Sequence, residues 1–98
     1  MGHDHLLLPR LARILEVKEL TAREKLFTLE LEDGKPLGHS PGQFVEVSVF
    51  GVGECPISVC SSPTRGNYFQ LCVRAVGLVT NALHRLKPGD LVGIRGPY

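Results

Sequence analysis

The chain has no tryptophan, a single methionine and two tyrosines among its 98 residues. Its core must therefore come from leucine, valine, isoleucine and phenylalanine. No apolar run approaches the ~20 residues of a membrane span, so no membrane role is expected. Leu6 to Leu8 is too short for the apolar part of a signal peptide and follows the acidic Asp4. The cytoplasm is the expected compartment. A dominant charge is missing too: 11 Lys and Arg oppose 10 Asp and Glu, for a net charge of +1. A nucleic-acid binder this small needs a concentrated basic face, and none is visible. Past Ser40 the balance is five basic to three acidic residues, enough for a phosphate and too little for a duplex. Cysteine is scarce and odd in number. Cys55, Cys60 and Cys72, spaced C-x4-C-x11-C, fit neither a disulfide framework nor a four-ligand zinc or iron–sulfur pattern. They read as small hydrophobes, and no metal site is expected. Ser58, Ser61 and Ser62 lack a nucleophile elbow, and carboxylates occur singly, so neither a hydrolytic triad nor paired acid–base work has support.

A chain of this length folds as one domain and buries about 60–65% of its unfolded surface. Met1 to Pro9, with the H-x-H pair His3 and His5, reads as a solvated lead-in. Residues 10–98 carry the domain. Arg10 to Leu20 has apolar residues at near-helical spacing, but its β-branched centre and the segment after it favour a strand. Lys25 to Glu32 alternates, with Phe27, Leu29 and Leu31 on one face. Gln43 to Phe50 does the same through Val45, Val47 and Val49. Pro56 to Ser61, Tyr68 to Val76 and Leu91 to Arg95 complete six strands, and Leu78 to Leu86 reads as one short helix stopped by Pro88-Gly89. The expected fold is all-β, a six-stranded antiparallel Greek-key barrel with one short helix. The three valines should be buried, together with Phe27, Leu29, Leu31 and Val73.

Two places invite an anion or a ligand. Gly77-Leu-Val-Thr80 stands where a strand gives way to a helix, with Arg74 three residues upstream. Glycine permits close backbone approach, and a helix start presents unpaired N–H groups. The same residues also fit an ordinary helix capped by Thr80. In Cys55-Pro-Ile-Ser58, a proline at the start of a strand leaves an edge open.

Taken in order, the motifs resemble a known family. Pro41-Gly-Gln-Phe44 precedes the valine strand, and Cys55-Pro-Ile-Ser-Val-Cys-Ser-Ser-Pro63 follows it. Leu71-Cys-Val-Arg-Ala-Val-Gly-Leu-Val-Thr80, Leu86-Lys-Pro-Gly-Asp90 and Gly96-Pro-Tyr98 come next. The series resembles the flavin-binding barrel of the ferredoxin–NADP reductase superfamily, above all the electron-transfer subunits of sulfhydrogenases, anaerobic sulfite reductases and dihydroorotate dehydrogenases. The resemblance implies an FAD site, with FMN the lesser alternative, drawn from Cys55, Pro56, Ile57, Ser58, Arg74, Val76, Gly77, Val79 and Thr80. It further implies electron relay between NAD(P)H and an iron–sulfur partner. The nicotinamide-binding domain would lie beyond Tyr98, in a longer parent chain. The chain departs from the family's Arg-x-Tyr-Ser motif, in which arginine meets the flavin phosphate and tyrosine packs on the ring. Cys55 stands for the arginine and Ile57 for the tyrosine, while Ser58 is kept. Arg74 and the backbone N–H groups of Val79 and Thr80 are then left to hold the phosphates. Cys55 and Ile57 also admit a rival reading, a non-enzymatic interaction module of the same shape. A barrel that binds RNA is disfavoured by the missing basic patch.

Overall fold

The computed structural model describes residues 8–62 and 66–98; most of the lead-in, with His3 and His5, lies outside them. Six strands and one helix follow one another: β1 (Arg10–Glu19), β2 (Glu24–Leu31), β3 (Phe44–Val49), β4 (Gly53–Ser58), β5 (Tyr68–Arg74), α1 (Leu78–His84) and β6 (Leu91–Arg95). Each neighbouring pair is antiparallel, in the sheet order β4-β3-β6-β1-β2-β5. The two outer strands of that order come together at one bridge, Val59 to Leu71, with Cys60 N–H donating to the Gln70 carbonyl at 3.0 Å. The sheet thus curls into the expected Greek-key barrel, with a seam between β4 and β5 that is laced at one end.

Alternation decides what fills the barrel. Phe27, Leu29, Leu31, Val45, Val47, Val49 and Val73 are all at most 8% exposed, as their spacing predicts. Ala12, Ile14, Phe69, Leu71, Val92 and Ile94 complete the interior. In β1 the register steps from Ile14↔Leu29 to Glu16↔Thr28, so Leu15 is the extra residue of a β-bulge. Inward positions therefore run Ala12, Ile14, Val17. That skip of three is what mimics helical spacing in the sequence.

Boundaries of β4, β5 and the helix differ by two residues or more at four ends, each for a local reason. β4 begins at Gly53, before the expected Pro56, because the turn after Phe50 already aligns Gly53 with Val49. Its far end stops at Ser58, since beyond it only the Val59 bridge is made. β5 ends at Arg74, where the chain turns into α1. The helix ends at His84, two residues early: Arg85 and Leu86 N–H groups donate to Ala82 and Leu83 carbonyls, the tighter three-residue spacing of a final turn. Lys25 Nζ donates to the His84 carbonyl at 2.8 Å, and His84 Nε2 lies 2.7 Å from the Val73 carbonyl. At the other end Val79 packs over Gly53, whose missing Cβ would lie 3.2 Å from Val79 Cγ2. The helix is thereby fixed to β2 and β5 at one end and to β4 at the other, across the open part of the seam.

Candidate functional site

Backbone alternation shows which groups the seam presents. Val59 N–H donates toward β3, to Gln43, and Cys60 N–H toward β5, to Gln70. By the alternation of antiparallel ladders, the backbone groups of Glu54, Pro56 and Ser58 face the seam. Ala75 N–H donates to Arg23 beside β2, so those of Arg74, the last residue of β5, face the seam from the opposite side. Among the described residues no ladder joins β4 to β5 below Val59. Pro56 has no N–H to offer a neighbouring strand, which keeps this edge from being zipped shut. The Cys55 and Ile57 side chains point inward, as cross-strand partners of the buried Val47 and Val45. They remain half-buried because the seam is open beside them.

The helix start borders the same opening. Gly77 is the N-cap, with extended backbone, and Thr80 sits three residues on, not at the cap. The Thr80 hydroxyl oxygen accepts from the N–H groups of Val76 and Gly77, both at 2.9 Å. It is thereby spent on shaping the turn. The N–H groups of Leu78, Val79 and Thr80 have no carbonyl four residues back within the helix. Val76 and Leu78, on either side of Gly77, are 71% and 73% exposed.

Charge around the seam is sparse. Arg74 projects from the outer face of β5, loosely paired with Glu24 at 3.5 Å. Glu54, on the outer face of β4, is gripped by Arg95 and accepts from Ser48 Oγ at 2.9 Å. The Arg95 hydrogen bonds hold its carboxyl below the usual range. The Cys55 thiol is pushed upward, first by burial and then by the carboxylates of Glu46 and Glu54. It stays protonated and neutral. Of the nine sequence-derived residues, Cys55 to Ser58 lie on β4 beside its unpaired edge, Arg74 ends β5, and Val76, Gly77, Val79 and Thr80 form the turn and helix start that follow, with Val79 packed over Gly53. The Glu54–Arg95–Ser48 cluster was not foreseen. Nor was the pairing of Tyr98 with Phe44, whose backbones exchange hydrogen bonds and whose rings lie 5.5 Å apart. The Arg95–Glu54 and Tyr98–Phe44 contacts join residues far apart in sequence, and no local pattern marks them.

A planar ring with hydrogen-bonding edges and a phosphate tail fits this arrangement. The free strand edge suits the ring, the half-buried Ile57 offers apolar contact, and the glycine-led helix start suits the phosphates. The profile of the oxidoreductase FAD-binding domain matches residues 11–98. The chain belongs to that family. It is 56% identical over 90 residues to the gamma subunit of sulfhydrogenase 2 from Pyrococcus furiosus, covering 89% of this chain and 31% of the relative. It is 40% identical over 90 residues to the electron transfer subunit of a probable dihydroorotate dehydrogenase B from Methanocella arvoryzae, covering 92% and 32%. Among solved structures, a cytochrome P450 reductase from Amycolatopsis superposes with a TM-score of 0.79 at 30% identity, over 93% of this chain and 28% of that one. The chain thus spans about a third of the curated relatives named here. This FAD-binding domain of the ferredoxin reductase type is what the ordered motifs led one to expect. No helix among the described residues is long and apolar enough to cross a membrane.

Proposed function

We propose that the seam between β4 and β5 seats FAD, and that the barrel, within a longer oxidoreductase, relays electrons between NAD(P)H and an iron–sulfur partner. The observation that carries the reading is the free, proline-bearing edge of β4 facing a strand that ends in a glycine-led helix start. When bound, FAD supplies the redox chemistry, exchanging a hydride on one side and electrons on the other. The protein's part is seating and electrostatics. Ser58 orients the ring edge through its hydroxyl and backbone. Ile57 and the neutral Cys55 thiol line the apolar side beside Pro56. Val76 and Gly77 bring the backbone close, and the N–H groups of Val79 and Thr80 receive the phosphates. Arg74 adds a positive charge, and leaving Glu24 costs it little because that pair is exposed and long.

The division into a lead-in of residues 1–9 and an FAD barrel of 10–98 belongs to the same proposal. So do a nicotinamide-binding domain and an iron–sulfur subunit as partners, supported by relatives named as subunits and some three times as long. FAD is preferred over FMN because the matching family is that of an FAD-binding domain.

Calorimetric titration of FAD and FMN into this chain tests the reading. FAD is expected to bind more tightly than FMN. Arg74→Ala should weaken FAD by about 1–3 kcal/mol, the worth of a charge-assisted contact. Cys55→Arg should tighten it, since Cys55 to Ser58 themselves carry no positive charge. If neither the chain nor its Cys55→Arg variant takes up FAD, the seam is not a flavin seat.

A further inference from the structure

We infer that the outer face of the barrel carries a docking groove for an arginine side chain presented by a partner polypeptide. The groove measures about 370 Å³ and is lined by Leu15, Glu16, Thr28, Tyr68 and Gln70. It lies on the outside of β1, β2 and β5 and shares no lining residue with Cys55 to Ser58, and the inference does not depend on the flavin reading. Its shape comes from the bulge. As the extra residue of β1, Leu15 is turned outward and left 42% exposed, where it forms one wall. The Tyr68 ring, 39% exposed, forms another. Between them lies Thr28, the cross-strand partner of both Glu16 and Gln70, short enough to make a floor and only 9% exposed.

The polar groups of the groove define its guest. Gln70 Nε2 donates to Thr28 Oγ1 at 3.1 Å, which leaves the amide oxygen as the end without a described partner. Glu16 makes no ion pair among the described residues, although Lys18 follows on the same strand face. Arg13, nearby on β1, is committed to Glu32 through two bonds of 3.0 Å. The groove therefore offers an uncompensated carboxylate, a second acceptor, an aromatic ring and an aliphatic wall. A guanidinium answers all four. It is planar and weakly hydrated, donates in several directions and stacks on aromatic rings, while its aliphatic stem packs on leucine. Lysine, a compact and strongly hydrated charge, matches the ring less well. Tyrosine and arginine are also the residues around which protein interfaces concentrate their binding energy.

The test is a nuclear magnetic resonance titration of the ¹⁵N-labelled chain with N-acetyl-arginine amide, and with its uncharged isostere N-acetyl-citrulline amide. Saturable shifts are expected at the amides of Leu15, Glu16, Thr28, Tyr68 and Gln70 with the arginine probe. Binding should be about three- to fivefold weaker for the citrulline probe and for the Glu16→Gln variant, as befits a solvent-exposed ion pair. Tyr68→Leu should weaken it as well, and the dispersion of the remaining signals reports that each variant is folded. Equal response to both probes, shifts spread over other carboxylates without saturation, or full binding by Glu16→Gln would overturn the inference.

Discussion

Thr80 shows how one side chain links sequence to site. Its hydroxyl, buried at 8% exposure, gathers the N–H groups of Val76 and Gly77 and so sets the turn from β5 into α1. Read in the sequence as a cap or as a ligand, it is in the structure the residue that shapes the turn ahead of the helix. Glu54 illustrates a second residue-scale effect. Arg95 holds its carboxyl below the ordinary 4.5, so the folded chain keeps this charge to lower pH than the unfolded chain does. The interaction is therefore fully present above that ordinary value and is lost as pH falls through the lowered one. Thermal unfolding across the acid range should show the wild type losing more stability than Glu54→Gln. A part of the acid loss common to both is expected from Asp33, which is lowered first by the Lys35 backbone N–H and then by Arg10. Identical acid slopes would mean that Glu54 contributes nothing.

At the scale of elements, the helix matters more than its seven residues promise. So short a helix is unstable alone and holds only through packing. Leu83, at 2% exposure, packs into the barrel's core, with Ala82 beside it. Lys25 and His84 pin the C-terminal end, and Val79 rests on Gly53. Leu83→Ala should cost about 2–5 kcal/mol, as for other large-to-small changes in a core. It should also loosen the helix start enough to weaken FAD binding, because the same helix borders the seam. A shift of the urea midpoint without any change in flavin affinity would separate the two roles.

On the whole-molecule scale, the radius of gyration of 12.5 Å is close to the ~13 Å expected for a domain of about 100 residues. Every strand contributes to one interior, and nearly all the inward positions are filled from within the chain. The barrel is accordingly expected to fold on its own, with far-ultraviolet circular dichroism and tyrosine fluorescence melting together in one cooperative transition. Separate transitions for the two signals would show that part of the barrel needs further protein to hold it.

The sequence alone determined the strands, their inward faces and the family. Alternation of period two is a local property, and each of Phe27, Leu29, Leu31 and the three valines of β3 carries its own signal of burial. The motifs are likewise contiguous, so their order along the chain was readable. The candidate site was legible as a set of residues and not as a shape. That Cys55 to Ser58 face Arg74 across a gap depends on which strand edges stay unpaired. That is settled by the single bridge at Val59 and by a proline whose effect appears only once β5 lies opposite. The groove of Leu15 and Tyr68 arises from a register shift between two strands, and the grip of Arg95 on Glu54 joins residues 41 positions apart. Local periodicity carries no term for such distances. Strand pairing within the sheet brings the groove residues and the Arg95–Glu54 pair together, and closure of the barrel sets the two edges of the seam opposite one another.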